Sequence, residues 1–396
     1  MAVGAAVSAV FIVFRPAQPP QENLQKVAGE SYLVITRPVF QEALQPWIDF
    51  REAQGFQVDV KAWEAAPSAE DLQNWVRTHE GNSKYLLLVG DCAGPADELP
   101  EWHVPSRLLE KGAVSDTLYG DVDADQSPDI AVGRLPVRTP ADLERLVAKI
   151  LDNEKRPTAE DPYEALIWVT VSGFEDLAAR VAARVRELAP DWLSPVVIAD
   201  SADPGRQPAR FLDALANPLA LAVVVAHASY RDIMVSQRRK EVNLSVEHIA
   251  RLHGAHAAAP LFILACDTGK FHIDSAKGLS LSEAFLFHPA GPIAVAASST
   301  SSSLILNYAF AKTLALELRE KKNRNTAGTL LLSIQRRLLS DKQSLASGAP
   351  QEDPIAARIQ EIAEKHPANP STPKTLREEI LSYNLLGDPA SPLRLP

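Results

Sequence analysis

The chain has 396 residues, 46% of them hydrophobic and 23% charged, with two cysteines. Its 40 basic and 50 acidic residues give a formal charge of −10, which argues against a nucleic-acid backbone or an anionic membrane surface as the main partner. Two cysteines cannot build a disulfide framework or a four-thiolate zinc site, and this composition is neither disordered nor collagen-like. One large or two fused globular domains remain, with enough chain for a sizeable core.

Met1 to Phe14 carries no charged side chain and runs into Arg15 and the proline-rich PAQPPQ. It is too short for a membrane span of about 20 residues. It has the length of a signal-peptide apolar core but lacks a basic start and a clear cleavage site. Residues 1–30 therefore read as a signal, an anchor or an ordinary N-terminal strand. Export or membrane anchoring on one side and a cytoplasmic chain on the other stay open, with membrane contact expected only through this segment.

From Tyr32 the pattern alternates apolar runs with amphipathic segments. YLVIT (32–36) predicts a strand, Val39 to Gln54 a helix ending at Gly55, and FQVDV (56–60) a second strand; YLLLVGD (85–91) has the continuous apolar run of a doubly covered parallel strand. DIAVGRLPV (129–137) leads into a helix from Pro140 to Lys155. A polar, proline-bearing link near 156–162 opens a second round: ALIWVTV, a helix over 176–188, PVVIAD, a helix near Leu212, LALAVVVAH, LFILAC and PIAVAAS. Helices are expected at about 305–321 and 325–340, then a polar segment over 345–373 and the tail LREEILSYNLLGDPASPLRLP. Strand–helix alternation predicts parallel sheets layered by helices. The boundaries are 31–156 for a first subdomain and 157–396 for a second.

In open parallel sheets, ligand sites lie beyond the carboxyl ends of the strands. Two consecutive apolar strands here end in a reactive side chain, LALAVVVA at His227 and PLFILA at Cys266, 39 residues apart. A thiol needs a neighbouring base to attack at neutral pH, and an imidazole on the next strand supplies one. The plainer reading makes Cys266 a small buried hydrophobe and His227 a loop residue.

Cys266 is succeeded by DTGKF, then by KGLSLSEAFLF (277–287), then by GPIAVAASSTSSS. Upstream stands SDTLYGDVDADQSPDIAVGRLPV, and the tail carries LLGDP (385–389). Through Cys266, Gly269, Phe271, Glu283, Ala284, Gly291, Ala294, Val295, Ser298, then Ser115, Asp116, Tyr119, Pro128, Asp129, Gly133, Arg134, Pro136 and Gly387 to Pro389, the chain resembles the gingipain-type cysteine peptidases over residues 31–396. The resemblance implies an α/β, caspase-like fold of two fused subdomains, each with a mainly parallel sheet sandwiched by helices. It implies a protein or peptide substrate and hydrolysis through an acyl-enzyme, with no cofactor required for catalysis. It makes Cys266 the nucleophile and His227 the general base, with an oxyanion hole from the backbone N–H groups of Cys266 and Ala228. The substrate groove would be bordered by Ser229, Asp267, Ser298 and Thr300.

The resemblance also implies an acid that orients the imidazole after the first strand of the second half, where Glu175 is the choice; the alternative is that Glu175 and Asp176 simply begin a helix, where carboxylates suit the dipole. The family's Gly-His-Gly-Ser is Ala-His-Ala-Ser here (226–229), and alanine is penalised wherever positive φ is needed. A weakly active or inactive caspase-like module that binds peptides or regulates a partner is the alternative. Asp121, Asp123, Asp125 and Asp129 occupy positions 1, 3, 5 and 9 of a calcium-loop-like stretch. Position 6 is Gln126 and position 12 is Val132, so a structural calcium ion and a solvated acidic loop both stay open. Cys92 reads as a bystander.

Overall fold

The computed structural model describes residues 29–92, 99–109, 112–156, 163–171, 175–199, 203–236, 242–254, 256–273, 278–320, 325–341, 353–365 and 373–395. The readings for Met1 to Phe14 and for most of the link over 156–162 lie outside them. Among the described residues, no helix is long and apolar enough to cross a membrane.

The first half runs β1 (Ser31–Thr36), α1 (Gln41–Ala53), β2 (Gln57–Ala62), α2 (Ala69–His79), β3 (Ser83–Val89), a small ribbon of β4 (Arg107–Leu108) and β5 (Val114–Ser115), β6 (Ala131–Leu135) and α3 (Pro140–Glu154). Helix starts follow local chemistry. Ser68 and Asp71 form a reciprocal capping box at α2, and Thr139 accepts the Asp142 N–H while Pro140 presets the first turn of α3. The second half runs β7 (Tyr163–Thr170), α4 (Glu175–Leu188), β8 (Leu193–Ile198), α5 (Gln207–Leu215), β9 (Leu221–Ala228), β10 (Asp232–Met234), β11 (Leu244–Ser245), α6 (Val246–Ile249), β12 (Leu261–Leu264), α7 (Leu281–Phe287), β13 (Ala294–Ser298), α8 (Leu304–Glu320) and α9 (Ala327–Ser340). Two helices, Pro354–Lys365 and Pro373–Leu381, precede β14 (Tyr383–Gly387).

All strands but the β4–β5 ribbon share one sheet. Its main order is β2-β1-β3-β6-β14-β13-β12-β9-β7-β8, with β10 and β11 continuing antiparallel from the end of β9. Neighbours in the main order are parallel except β13 and β14. The two parallel sets therefore run in opposite directions. The carboxyl end of β12, which leads to Cys266, and the carboxyl end of β3, which leads to Cys92, lie on opposite rims.

Side chains alternate between the faces, as the pleat requires. In β9, Ala222, Val224 and Ala226 join the core under α5 and α7, whereas Leu221, Val223 and Val225 join the core under α4, α8 and α9. The segment read as polar over 345–373 contains the helix Pro354–Lys365, which buries Ile355, Ala356 and Ile359 at helical spacing. The tail enters the sheet as β14, parallel to β6 and antiparallel to β13. Such a non-local pairing leaves no local periodicity to read.

β14 is held by close backbone approach and by a buried polar cluster. A Cβ on Gly133 would clash with the Gly387 carbonyl oxygen, so only glycine lets β6 and β14 meet there. Just beyond β14, the fully buried Asp388 carboxylate accepts from Tyr32 Oη at 2.6 Å, from Trp47 Nε1, from Arg51 and from the Ala390 N–H at 2.8 Å. Arg51 also clamps Glu154 through two bonds of 2.6 and 2.7 Å. Removing one member of a buried ion cluster strands the others, at a cost of ~3–5 kcal/mol. Asp388→Asn should lower unfolding stability by about that amount in denaturant melts, while Arg358→Gln, in an exposed pair, should leave the midpoint in place. An Asp388→Asn midpoint equal to wild type would contradict this role.

Candidate active site

The β9–β12 register pairs Leu261 with Ala222 and Leu264 with Val225, a constant offset of 39 residues, the same separation as His227 from Cys266. β9 runs on through His227, whereas β12 ends at Leu264 and Cys266 stands in the bend two residues beyond it, so both lie past the carboxyl end of the last registered pair and at equal distance from it in sequence. Alternation along β9 gives the His227 side chain the face of Val225.

Both groups are half-buried, and burial drives both toward neutrality. It pushes the Cys266 thiol up, and it pulls the His227 imidazole down. Among the described residues no hydrogen bond joins the two. The thiol instead bonds to the main chain of Ser302, donating to its carbonyl at 3.2 Å and accepting its N–H at 3.4 Å. Ser302 belongs to the turn after β13. The next residue, Ser303, is anchored through N–H and hydroxyl to Glu379 Oε2 at 2.9 and 2.8 Å.

The residue after the thiol, Asp267, has φ +61°, a left-handed conformation that aspartate tolerates better than most residues. Its N–H donates to the Thr300 carbonyl at 2.9 Å, and its carboxylate pairs with Lys270 at 2.9 Å. The chain then doubles back so tightly that a Cβ on Gly269 would sit 2.6 Å from the Ala297 carbonyl oxygen. No described residue accepts the Cys266 N–H.

On the β9 side, the Ser229 N–H donates to the Asp232 carbonyl at 2.8 Å. By antiparallel alternation, Ala228 and Ile233 then form a non-hydrogen-bonded pair, which turns the Ala228 N–H away from β10. Neither Ala226 nor Ala228 has positive φ, so the alanines flanking His227 carry no backbone penalty.

The structure joins Asp267, Ser298 and Thr300 in one cluster, since the Thr300 carbonyl accepts from the Asp267 N–H and from the Ser298 hydroxyl at 2.8 Å. Ser298 is sealed beneath the rim, fully buried, with its hydroxyl also 2.8 Å from that of Ser382. Ser229 lies across the rim, its hydroxyl bound within its own turn to Asp232. Glu175 opens α4, the helix that follows β7; its side chain lies outside what is described. Asp176 is exposed. Cys92, on the far rim, has its thiol pushed well up by burial. Glu379, which holds Ser303, has no signal in the sequence, whereas Ser302 belongs to the serine-rich run 298–303.

The acidic loop before β6 is likewise gathered only in part. Asp121, Asp123 and Asp129 bring one carboxylate oxygen each within 4.8 Å of one another. Asp125 stands outside that group, accepting the Ser127 N–H at 2.7 Å.

Known proteins resemble this chain in sequence and in fold. A family model described as Peptidase family C25 matches residues 26–394. Lys-gingipain of Porphyromonas gingivalis strain ATCC 33277 and Lys-gingipain W83 of Porphyromonas gingivalis are each 26% identical over 141 residues, which is 33% of this chain and 8% of the relative. A solved complex of the pro- and mature domains of Porphyromonas gingivalis RgpB superimposes with TM-score 0.66 at 20% identity, covering 92% of this chain and 80% of that one. A second structure, described as a protease, gives TM-score 0.67 at 16% identity over 92% of this chain and 79% of the other. At these identities the likeness is one of fold: a caspase fold with a large, mostly parallel sheet flanked by helices.

A thiol held protonated and an imidazole held neutral predict how the free site reacts. Alkylation of Cys266 by iodoacetamide should climb about tenfold per pH unit from about pH 7 upward, following thiolate formation. A rate already flat between about pH 5 and 8 would mark a preformed thiolate–imidazolium pair and contradict this assignment.

Proposed function

Since the chain belongs to peptidase family C25, a family of gingipain-type cysteine peptidases, we propose that it is an endopeptidase that cleaves peptide bonds through Cys266 and His227. The observation that carries this reading is the identity between the 39-residue register offset of β9 and β12 and the spacing of the two residues.

In this mechanism the neutral imidazole of His227 takes the thiol proton as sulfur attacks the scissile carbonyl. Charge develops on the carbonyl oxygen, where the N–H groups of Cys266 and Ala228 receive it. Each such donor contributes about 3 kcal/mol in measured systems. His227 then returns the proton to the leaving amine, and water, deprotonated by the same imidazole, hydrolyses the thioester. Glu175, at the start of α4 beside β9's neighbour β7, is the proposed orienting acid. The catalytic groups belong to the second subdomain, 157–396, while the first, 31–156, braces it. Substrate binding must draw the thiol away from Ser302 toward the carbonyl.

That engagement with Ser302, with no bond to His227 among the described residues, is also what favours the second reading, a peptide-binding module with little turnover. A library of internally quenched peptides separates the two. Cleavage should fall at least about 10³-fold in Cys266→Ala and in His227→Ala and persist in Cys92→Ala, all three variants melting like wild type. Retained cleavage in Cys266→Ala would overturn the peptidase mechanism, whereas peptide binding without cleavage by the wild type would establish the binding module.

A further inference from the structure

The two parallel sets of strands have their carboxyl ends on opposite rims, and in open parallel sheets ligands bind beyond such ends. Cys266 occupies one rim. On the other, beyond β3 and β6, lies a cavity of about 600 Å³, within the range of about 300–1,000 Å³ usual for small-molecule sites. Asp91 enters it after β3 and Arg138 after β6, one face of α3 forms a wall, and Phe287 and Pro289, ahead of β13, form another. None of the proposed peptidase residues lines it.

Four arginine and lysine side chains line the cavity, and two of them are neutralised. Arg138 donates to Asp91 Oδ2 at 2.6 Å, and Arg145 pairs with Asp142. The other two have main-chain partners. Lys149 Nζ donates to the carbonyls of Leu286 and His288 at 2.6 and 2.9 Å, and Arg156 donates to the Ala257 carbonyl at 3.1 Å. Among the described residues neither makes an ion pair with a carboxylate. The Arg156 Nε is buried without a hydrogen-bond partner.

A buried cation that lacks a counter-charge is costly. Burial pulls the Lys149 ammonium down to about 7. Burial and the repulsion of Arg394 lower Arg156, against the attraction of exposed Asp152. Glu283, the remaining acid of the wall, is engaged at the start of its own helix, where its carboxylate accepts the Ser280 N–H and hydroxyl at 2.9 and 2.6 Å. The cavity therefore holds positive charge that its own walls leave unanswered.

We propose that this cavity binds a small organic carboxylate, its head on the Lys149 ammonium in the field of Arg156 and its apolar body against Leu146 and Phe287. An ammonium has three donors, and Lys149 uses two on main chain, so one remains for the ligand. A monoanion suits the site better than a phosphate. The Leu286 and His288 carbonyls beside the ammonium repel the additional oxygens of a dianion, as do Asp91 and Asp142 in the same lining. Leu279, which also lines the cavity and is 40% exposed, adds apolar surface for the ligand to cover.

Calorimetric titration of the full chain carrying Cys266→Ala with hexanoate, with its neutral amide and with inorganic phosphate tests the site apart from any peptidase activity. Hexanoate should bind at one site. The amide should bind at least about tenfold more weakly, because the charged hydrogen bond is lost, and phosphate should not bind. Adding Lys149→Met, which keeps the apolar stem, should weaken hexanoate at least about tenfold, while Arg145→Gln, in an exposed pair, should leave its affinity unchanged. The comparison of acid with amide needs no substitution in the cavity, so it decides the matter even where Lys149→Met fails to fold. No binding of hexanoate at about 10 mM, equal affinity for the amide, phosphate bound as tightly as the acid, or unchanged affinity in Lys149→Met would overturn the carboxylate site.

Discussion

The two halves of the sheet meet over the buried ion pair of Arg134 and Asp116. Arg134 is fully buried on β6 and its guanidinium is saturated. It donates to both Asp116 oxygens at 2.6 and 2.8 Å, to the carbonyls of Gly90, Val104 and Pro105 at 2.7, 2.9 and 3.2 Å, and to the Ser106 hydroxyl at 3.1 Å. A buried ion pair offsets its desolvation only when its remaining donors are met in this way. Asp116 in turn offers its N–H to Asn384 Oδ1 on β14 at 2.7 Å, while Ser115 and Thr117 bond to the carbonyls of Leu381 and Tyr383. β14 shares a single registered residue pair with β6, Leu386 with Arg134. The seam is thus secured as much by this side-chain network as by the ladder.

The network reaches the rim where Cys266 stands. The Ser299 hydroxyl bonds to the Val114 carbonyl at 2.6 Å, the Tyr383 hydroxyl to Asn307 at 2.7 Å, and Arg134 packs over the Phe271 ring at 5.6 Å. The turn 299–303, which sets the position of the thiol, therefore hangs from β14 and the 114–117 segment. The first half contributes no side chain to the proposed chemistry, yet it fixes the second half's loops in space. Several residues that carry the family resemblance have this structural employment: Asp116, Gly133, Arg134, Gly387 and Asp388 build the seam and leave the reacting atoms to others.

Much of the parallel architecture was legible because buried parallel strands are continuous apolar runs, as in Tyr85 to Val89 and Leu219 to Ala226. The candidate pair was legible because two consecutive apolar runs end at His227 and at Cys266; the 39-residue register offset of β9 and β12 is a property of the fold that no local pattern encodes. Three further features were not legible. The insertion of β14 depends on pairing with strands some 90 and 250 residues away in sequence, which local pattern does not encode. The helix Pro354–Lys365 was hidden in a polar segment because its apolar stripe is narrow. The Ser302 contact to sulfur is made by main chain, and no side-chain identity announces it. For Ala226 and Ala228, the structure removes a concern that the sequence raised, since both take conformations open to any residue.

The central claim is that Cys266 is the atom source of a covalent intermediate. Intact-protein mass spectrometry of the chain, quenched in acid during turnover of an activated peptide ester, tests it most directly. The account predicts an added mass equal to the acyl group, located on Cys266 after proteolysis. An acyl group found on Cys92 or on a serine, or peptide products formed with no adduct at any quench time, would contradict it.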